Sequence, residues 1–138
     1  MKSREPTIIF LSPARFEEYF ETGQIFEREQ IHGYWYGTPV AGIADALTQD
    51  TTALIAMGFA GARLVQMQWP QQASLIFVMP PSIAALHQRL KRRGTDDKDL
   101  DIRLDRARDD LAWAEMADAI IHNDDFDQAF NDLCAYLR

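Results

Sequence analysis

The amino-acid sequence predicts an α/β fold: a mainly parallel core sheet with helices on both faces, preceded by a small antiparallel α+β part. Three observations carry this. Ala53 to Met57, Ser74 to Met79 and Ala119 to His122 are apolar runs without polar alternation, as in strands covered on both faces. Helical stretches separate them, and strand-helix alternation favours a parallel sheet. The front third differs. Ile25 to Ile31 and Tyr34 to Tyr36 read as two strands around a turn at His32-Gly33.

Each element has a local signal. Thr7 to Leu11 is a short β-rich run, expected as a strand. Ser12-Pro13 reads as a helix cap followed by the first helical position. Phe16, Tyr19 and Phe20 form one apolar stripe, and Gly23 ends that helix. Thr38-Pro39 repeats the cap-plus-proline pattern before a helix that places Val40, Ile43, Ala44 and Leu47 together. A helix is expected from near Gly61 until Pro70. Ser82 caps another, which breaks at Gly94. A long polar helix follows, roughly Asp97 to Met116, with Leu100, Leu104, Ala107, Leu111 and Ala114 on a narrow seam. Asp124 or Asp125 caps the last helix, whose stripe is Phe126, Phe130, Leu133 and Leu137.

The 138 residues are 47% apolar and 25% charged, values that suit one soluble globular domain with a real core. No segment approaches the ~18 consecutive apolar residues of a membrane span. The N-terminal stretch has no apolar signal-peptide core. A net charge of −7 argues against nucleic-acid binding. One cysteine, Cys134, fits a reducing cytoplasm and reads as a buried, inert thiol. His32, His87 and His122 are too scattered for a metal site. Trp35, Trp69 and Trp113 read as core or interface aromatics. Any anionic ligand needs a local basic cluster. The candidates are Arg89, Lys91, Arg92 and Arg93, then Arg103, Arg106 and Arg108.

Several stretches in order resemble guanylate kinase. They are F-E-x-x-F-x-T-G-Q from Phe16, F-E-R-E-Q-I-H-G-Y-W-Y-G-T-P from Phe26, V-M-P-P-S from Val78, R-L-K-R-R-G-T-D from Arg89 and H-N-D-D-F-D-x-A from His122. Each is weak alone, but the order and spacing are specific from Thr7 onward. The resemblance implies a nucleoside-monophosphate-kinase fold, truncated here. Residues 7–48 would form the GMP-binding-type subdomain and 49–138 the core sheet, with a helical lid at about 88–110. Family enzymes move the γ-phosphoryl group of Mg-ATP to GMP.

The resemblance also implies site residues. Glu27, Tyr36 and Thr38 match the positions that read guanine and the GMP phosphate, and Arg4 remains from a phosphate-binding loop. A carboxylate can accept two N–H bonds from the guanine edge, and a phenol can donate to phosphate. Read without the resemblance, Tyr36 is an amphipathic strand residue and Thr38 a helix cap. Arg89, Arg93 and Arg103 match lid arginines that close over ATP phosphates, for which a planar guanidinium is suited. Their alternative is a solvated helix face, because Asp99–Arg103, Asp105–Arg108 and Arg106–Asp110 have the spacing of helical ion pairs. Asn123 matches a residue near the adenine and reads equally as a strand-to-helix cap.

The departures are as informative. Ile8 stands where the family has a phosphate-binding tyrosine, and Ala56 and Gly58 stand where it has two aspartates. No glycine opens a G-x-x-x-x-G-K-[ST] phosphate loop. Gly37 and Gly42 have the glycine spacing, but Ile43-Ala44 follow. The expectation is a chain without a P-loop that does not transfer phosphate by itself. It would act as a nucleotide- or protein-binding module for GMP or another small anionic nucleotide. The alternatives are a GMP kinase whose ATP-binding part, and with it ATP and Mg²⁺, comes through another chain, or a fragment without independent function.

In the family, the strand leading into the P-loop separates the two strands matched by Ala53–Met57 and Ser74–Met79. Without it, buried edges would each lose about 1–3 kcal/mol per unpaired group. Either the strands close up by ~4.8 Å or another chain fills the gap. The prediction is a homo-oligomer or a complex, and light scattering that found a stable monomer at micromolar concentration would count against it.

Overall fold

Ser12 is extended, and its hydroxyl accepts from the Arg15 N–H at 3.3 Å, so α1 (Pro13–Glu21) starts where the sequence places it. The computed structural model describes residues 8–31, 33–49 and 51–138. Two compact units are present, Met1–Ala56 and Met57–Arg138.

In the first unit, Gly23 ends α1 at φ +72°. The Gly23 and Gln24 N–H groups close back on Phe20 and Tyr19 at 3.1 and 2.8 Å. These two bonds satisfy carbonyls that the helix end leaves unpaired. Next come β1 (Ile25–Ile31) and β2 (Tyr34–Pro39), antiparallel. Of the expected His32-Gly33 turn, His32 lies outside the described residues, and Gly33 has φ +82°. The ladder is regular from Ile31↔Tyr34 to Arg28↔Gly37, then shifts before Ile25↔Pro39. Phe26 and Glu27 thus stand opposite Thr38 alone, a β-bulge.

Gly37 is at the tightest point. A Cβ there would lie 2.5 Å from Ile25 Cγ2, 3.0 Å from the Glu27 carbonyl oxygen and 3.2 Å from Phe16 Cζ. Both Phe16 and Ile25 are buried, so the hairpin packs on α1 through a surface that only glycine permits.

Thr38 departs from expectation. β2 runs three residues past Tyr36, and Pro39 is the N-cap of α2 (Val40–Thr48), without a side-chain cap bond. The Thr38 hydroxyl is bonded across the strands instead. On α2, Ile43 is buried, Val40 and Ala46 half-buried, and Ala44 and Leu47 exposed.

Two expected strands are absent. Residues 8–11 and 53–57 have no regular structure; Phe10 is 90% exposed and Leu54 65% exposed. A strand needs a ladder partner. Among the described residues none pairs with either run, so β propensity alone does not order them.

The second unit opens with α3 (Phe59–Gln68), capped by Gly58. β3 (Ile76–Met79) runs parallel to β4 (Ala119–His122), from Ile76↔Ala119 to Met79↔His122. Asp118 fixes the entry. Its Oδ2 accepts from the Leu75 N–H and from Gln66 Nε2, each at 2.7 Å. At the far end the Asn123 N–H donates to the Met79 carbonyl at 2.8 Å. The parallel pairing is as expected; the two-sided cover is not. Val78 and Ile120 are exposed, because each strand has one neighbour among the described residues.

Between the strands lie α4 (Ile83–Arg92), capped by Ser82, and α5 (Asp97–Ala112), capped by Asp96. Leu90, Leu100 and Leu104 form a small core with Ile83 and Leu86 against it; Leu100 is 3% exposed. The expected long helix ends at Ala112, and a 3₁₀ turn at Ala114–Met116 follows. Asp125 caps α6 (Phe126–Tyr136) by accepting from Gln128 N–H at 2.9 Å. Of the expected α6 stripe only Leu133 is half-buried; the rest is exposed. Phe126 is 75% exposed and stacks on exposed Phe130 at 6.3 Å, while the buried residue is Ala129. α6 meets β4 through its small side chain, which leaves the rings outside. Trp35 and Trp113 are likewise half-exposed, stacked on Phe16 and Phe59. Cys134 is half-buried. No described helix is long and apolar enough to cross a membrane.

The Gly37 approach makes a direct prediction. Gly37→Ala should cost about 1–3 kcal/mol through overpacking. Gly42→Ala is the control, since a Cβ there meets nothing within 4 Å; inside α2 it should gain about 0.5–1 kcal/mol. Urea unfolding of both variants measures the difference.

Candidate functional site

The bulge brings two of the expected residues into contact. The Thr38 hydroxyl donates to Glu27 Oε1 at 2.7 Å. Thr38 is 8% exposed and Glu27 is half-buried. A bond to a carboxylate is charge-assisted, and stronger than a neutral one. It uses the one hydroxyl proton of Thr38 and leaves Glu27 with further acceptor capacity. The hydroxyl therefore holds the carboxylate in place. Tyr36 opposes Glu29 in the ladder. Side chains alternate along strands, so Glu27, Glu29, Tyr36 and Thr38 share one face. About half of Tyr36 is exposed there.

The opposite face carries a residue that the sequence reading passed over. Arg28 lies with its guanidinium carbon 4.0 Å from the Phe20 ring centre and 4.8 Å from that of Trp35. Its Nη1 donates to Glu17 Oε2 at 2.6 Å. Trp35 in turn stacks on Phe16 at 6.5 Å. The Arg28–Glu17 contact spans eleven positions in sequence, and the ring contacts join different elements, so no local pattern announces them.

Other expected residues fall elsewhere. Arg4 lies outside the described residues. Ile8 and Ala56 are exposed, and Gly58 caps α3; none offers a polar side chain. Among the described residues no group of three or more His, Cys, Asp or Glu could hold a metal ion.

In the second unit Arg89, Arg93 and Asn123 line one open cavity of about 280 Å³, floored by Phe77, Pro80 and Leu86. Arg89 does not point freely into it. Its Nη1 donates to the Asn123 carbonyl at 2.9 Å and its Nη2 to the Asp124 carbonyl at 3.3 Å. The guanidinium ties α4 to the turn between β4 and α6. Arg93 is exposed at the end of α4, where Gly94, at φ +78°, closes the helix. Arg103 is exposed on α5 and does not line the cavity. Asn123 is not the cap of α6, since Asp125 fills that place. The Arg108–Asp105 pair, 2.5 Å apart, is exposed and worth at most about 1 kcal/mol.

The guanylate kinase family model matches residues 7–138. The guanylate kinase of Caulobacter vibrioides is 36% identical over 125 residues, 90% of this chain and 59% of that protein. That of Thiobacillus denitrificans is 38% identical over 130 residues, 94% of this chain and 62% of that protein. That of Carboxydothermus hydrogenoformans is 33% identical over 133 residues, 93% of this chain and 63% of that protein. The chain thus spans about three fifths of the length of these relatives. The fold agrees with the crystal structure of guanylate kinase from Anaplasma phagocytophilum, with a TM-score of 0.79 over all of this chain and 70% of that one, at 22% identity. A match that begins at residue 7 and runs to the last residue, together with relatives a third or more identical along nine tenths of the sequence, means that this chain belongs to the guanylate kinase family.

Proposed function

We propose that residues 1–138 form a GMP-binding module of the guanylate kinase type that does not transfer phosphate by itself. The observation that carries this reading is the Thr38–Glu27 bond at 2.7 Å. It holds a carboxylate edge in the strand face at a position where the family reads guanine. That carboxylate can take the two N–H groups of the guanine edge, and Tyr36 beside it can donate to phosphate. Residues 7–48 would carry this site, with Arg4 added to it. Residues 49–138 would carry the core sheet and, at about 88–110, the lid. Arg93 and Arg103 suit phosphate contact, and Asn123 an adenine contact. Transfer of a phosphoryl group depends on positioning and charge neutralisation. No glycine of this sequence is followed by the lysine and hydroxyl that supply them. The proposed setting is the cytoplasm, with which the free thiol of Cys134 is compatible.

A second reading is favoured by β3. It is a GMP kinase whose ATP-binding part is supplied by a further polypeptide segment, in this chain's oligomer or in a partner. Among the described residues β3 is paired on one side, and Val78, Phe126 and Phe130 are exposed, as a surface awaiting another element would be.

Calorimetry with GMP and with ATP, beside a coupled kinase assay on the isolated chain, tests the first reading. The first reading expects GMP to bind, ATP not to, and no turnover. Glu27→Gln should weaken GMP by about 1.5–3 kcal/mol, the worth of hydrogen bonds to a charged group. ATP-to-GMP transfer by the isolated chain would overturn the first reading.

A further inference from the structure

The geometry points to Arg28 as the positioning residue for Glu27, acting from the face of the hairpin opposite the site; this rests on the GMP reading above.

Glu27 owes its direction to the bulge. Phe26 and Glu27 share one opposing residue, and the ladder regains its register at Arg28↔Gly37. At a bulge two residues oppose one, which bends the strand and re-aims its side chains. The residue that closes the bulge decides which way it settles. That residue is Arg28.

Its grip reaches three elements. Glu17 and Phe20 belong to α1, and Trp35 belongs to β2, while Arg28 itself is on β1. The guanidinium is stacked against two rings and held at its end by a carboxylate 2.6 Å away. The ion pair is only part-exposed, 28% for Arg28 and 47% for Glu17. Solvent therefore screens it less than a free surface pair. Gly37, directly across from Arg28, has no side chain to compete for that space. On the other face, one residue along, sit Glu27 and Thr38 in their bond. A backbone shift that carried Arg28 off its rings would carry Glu27 off Thr38.

Lysine cannot replace this grip. It keeps the charge and can still reach Glu17. Its ammonium is a compact point charge, however, and cannot lie flat against two rings. Arg28→Lys thus isolates the planar clamp from the charge.

The readout must separate aim from stability. GMP and IMP carry the same sugar and phosphate, and IMP lacks the 2-amino group that the Glu27 carboxylate would accept from. A well-aimed carboxylate prefers GMP; a misaimed one does not. We expect the wild-type chain to prefer GMP over IMP by roughly tenfold, the factor that one hydrogen bond to a charged group supplies. Arg28→Lys should remove most of that preference while leaving the IMP affinity and the urea midpoint near wild-type values. Should the lysine variant fail to fold, Glu17→Gln, which keeps the ring contacts, should show a smaller loss of the same preference. An unchanged GMP-to-IMP ratio in a folded variant, or an equal weakening of both nucleotides, overturns the positioning role and leaves the GMP reading intact. Failure of the wild-type chain to bind GMP removes both.

Discussion

The constraint on which the first unit depends is the absence of a side chain at Gly37. Ile25 Cγ2 and Phe16 Cζ fill the place a Cβ would take. Only because they do can α1 lie against the hairpin. Only with α1 in that place can Glu17 and Phe20 reach Arg28. The bulge beside Gly37 then turns Glu27 to Thr38. Steric fit, cation–π contact and a charge-assisted bond are thus three consequences of one close approach. The candidate site lies on the outward face of a strand pair whose inward face is set by packing.

Charge is distributed in a way that bears on ligand choice. The chain carries a net charge of −7, and two well-placed arginines are engaged internally. Arg28 is held by Glu17 and two rings, and Arg89 by two carbonyls. A guanidinium with its donors satisfied by the protein has less to offer a phosphate, because any new bond must displace an old one. Arg93 and Arg103 stand exposed instead, on helices joined by the Gly94 turn. Positive charge that could meet an anion is therefore concentrated on α4 and α5, whereas the strand face bears carboxylates and phenols. Such a face suits hydrogen bonding to a base edge better than capture of a phosphate.

Sequence signals and structure agree where the physics is local. Ser12, Ser82 and Asp125 cap helices with their own side chains. Gly23 and Gly94 end helices in the left-handed conformation. The α5 seam holds because Leu100 and Leu104 repeat on one face. Signals and structure part where a residue's fate is decided from far away. Thr38-Pro39 has the composition of a helix start, but its hydroxyl is claimed by Glu27 across the hairpin. Residues 53–57 have the composition of a buried strand, which only a neighbouring strand can make real. Glu27 and Thr38 are legible as candidate site residues through their resemblance to a family pattern, and the structure brings them into contact. Arg28 is not legible, since its partners Glu17, Phe20 and Trp35 come together only in three dimensions.

The second unit shows why a short parallel pair needs company. β3 and β4 are each four residues long, and among the described residues the ladder between them supplies hydrogen bonds along one side only. Parallel sheets are normally covered on both faces, because their strands are apolar throughout. Here Asp118 and Asn123 secure the two ends of the pair, so its register is fixed without further strands. Cover is the weaker part: Val78, Ile120, Phe126 and Phe130 all remain exposed. Register and cover are thus separable. End contacts from polar groups define how β3 and β4 align. The apolar surface beside them is what any additional strand or helix would bury, at roughly 25 cal/mol for each Å² removed from water.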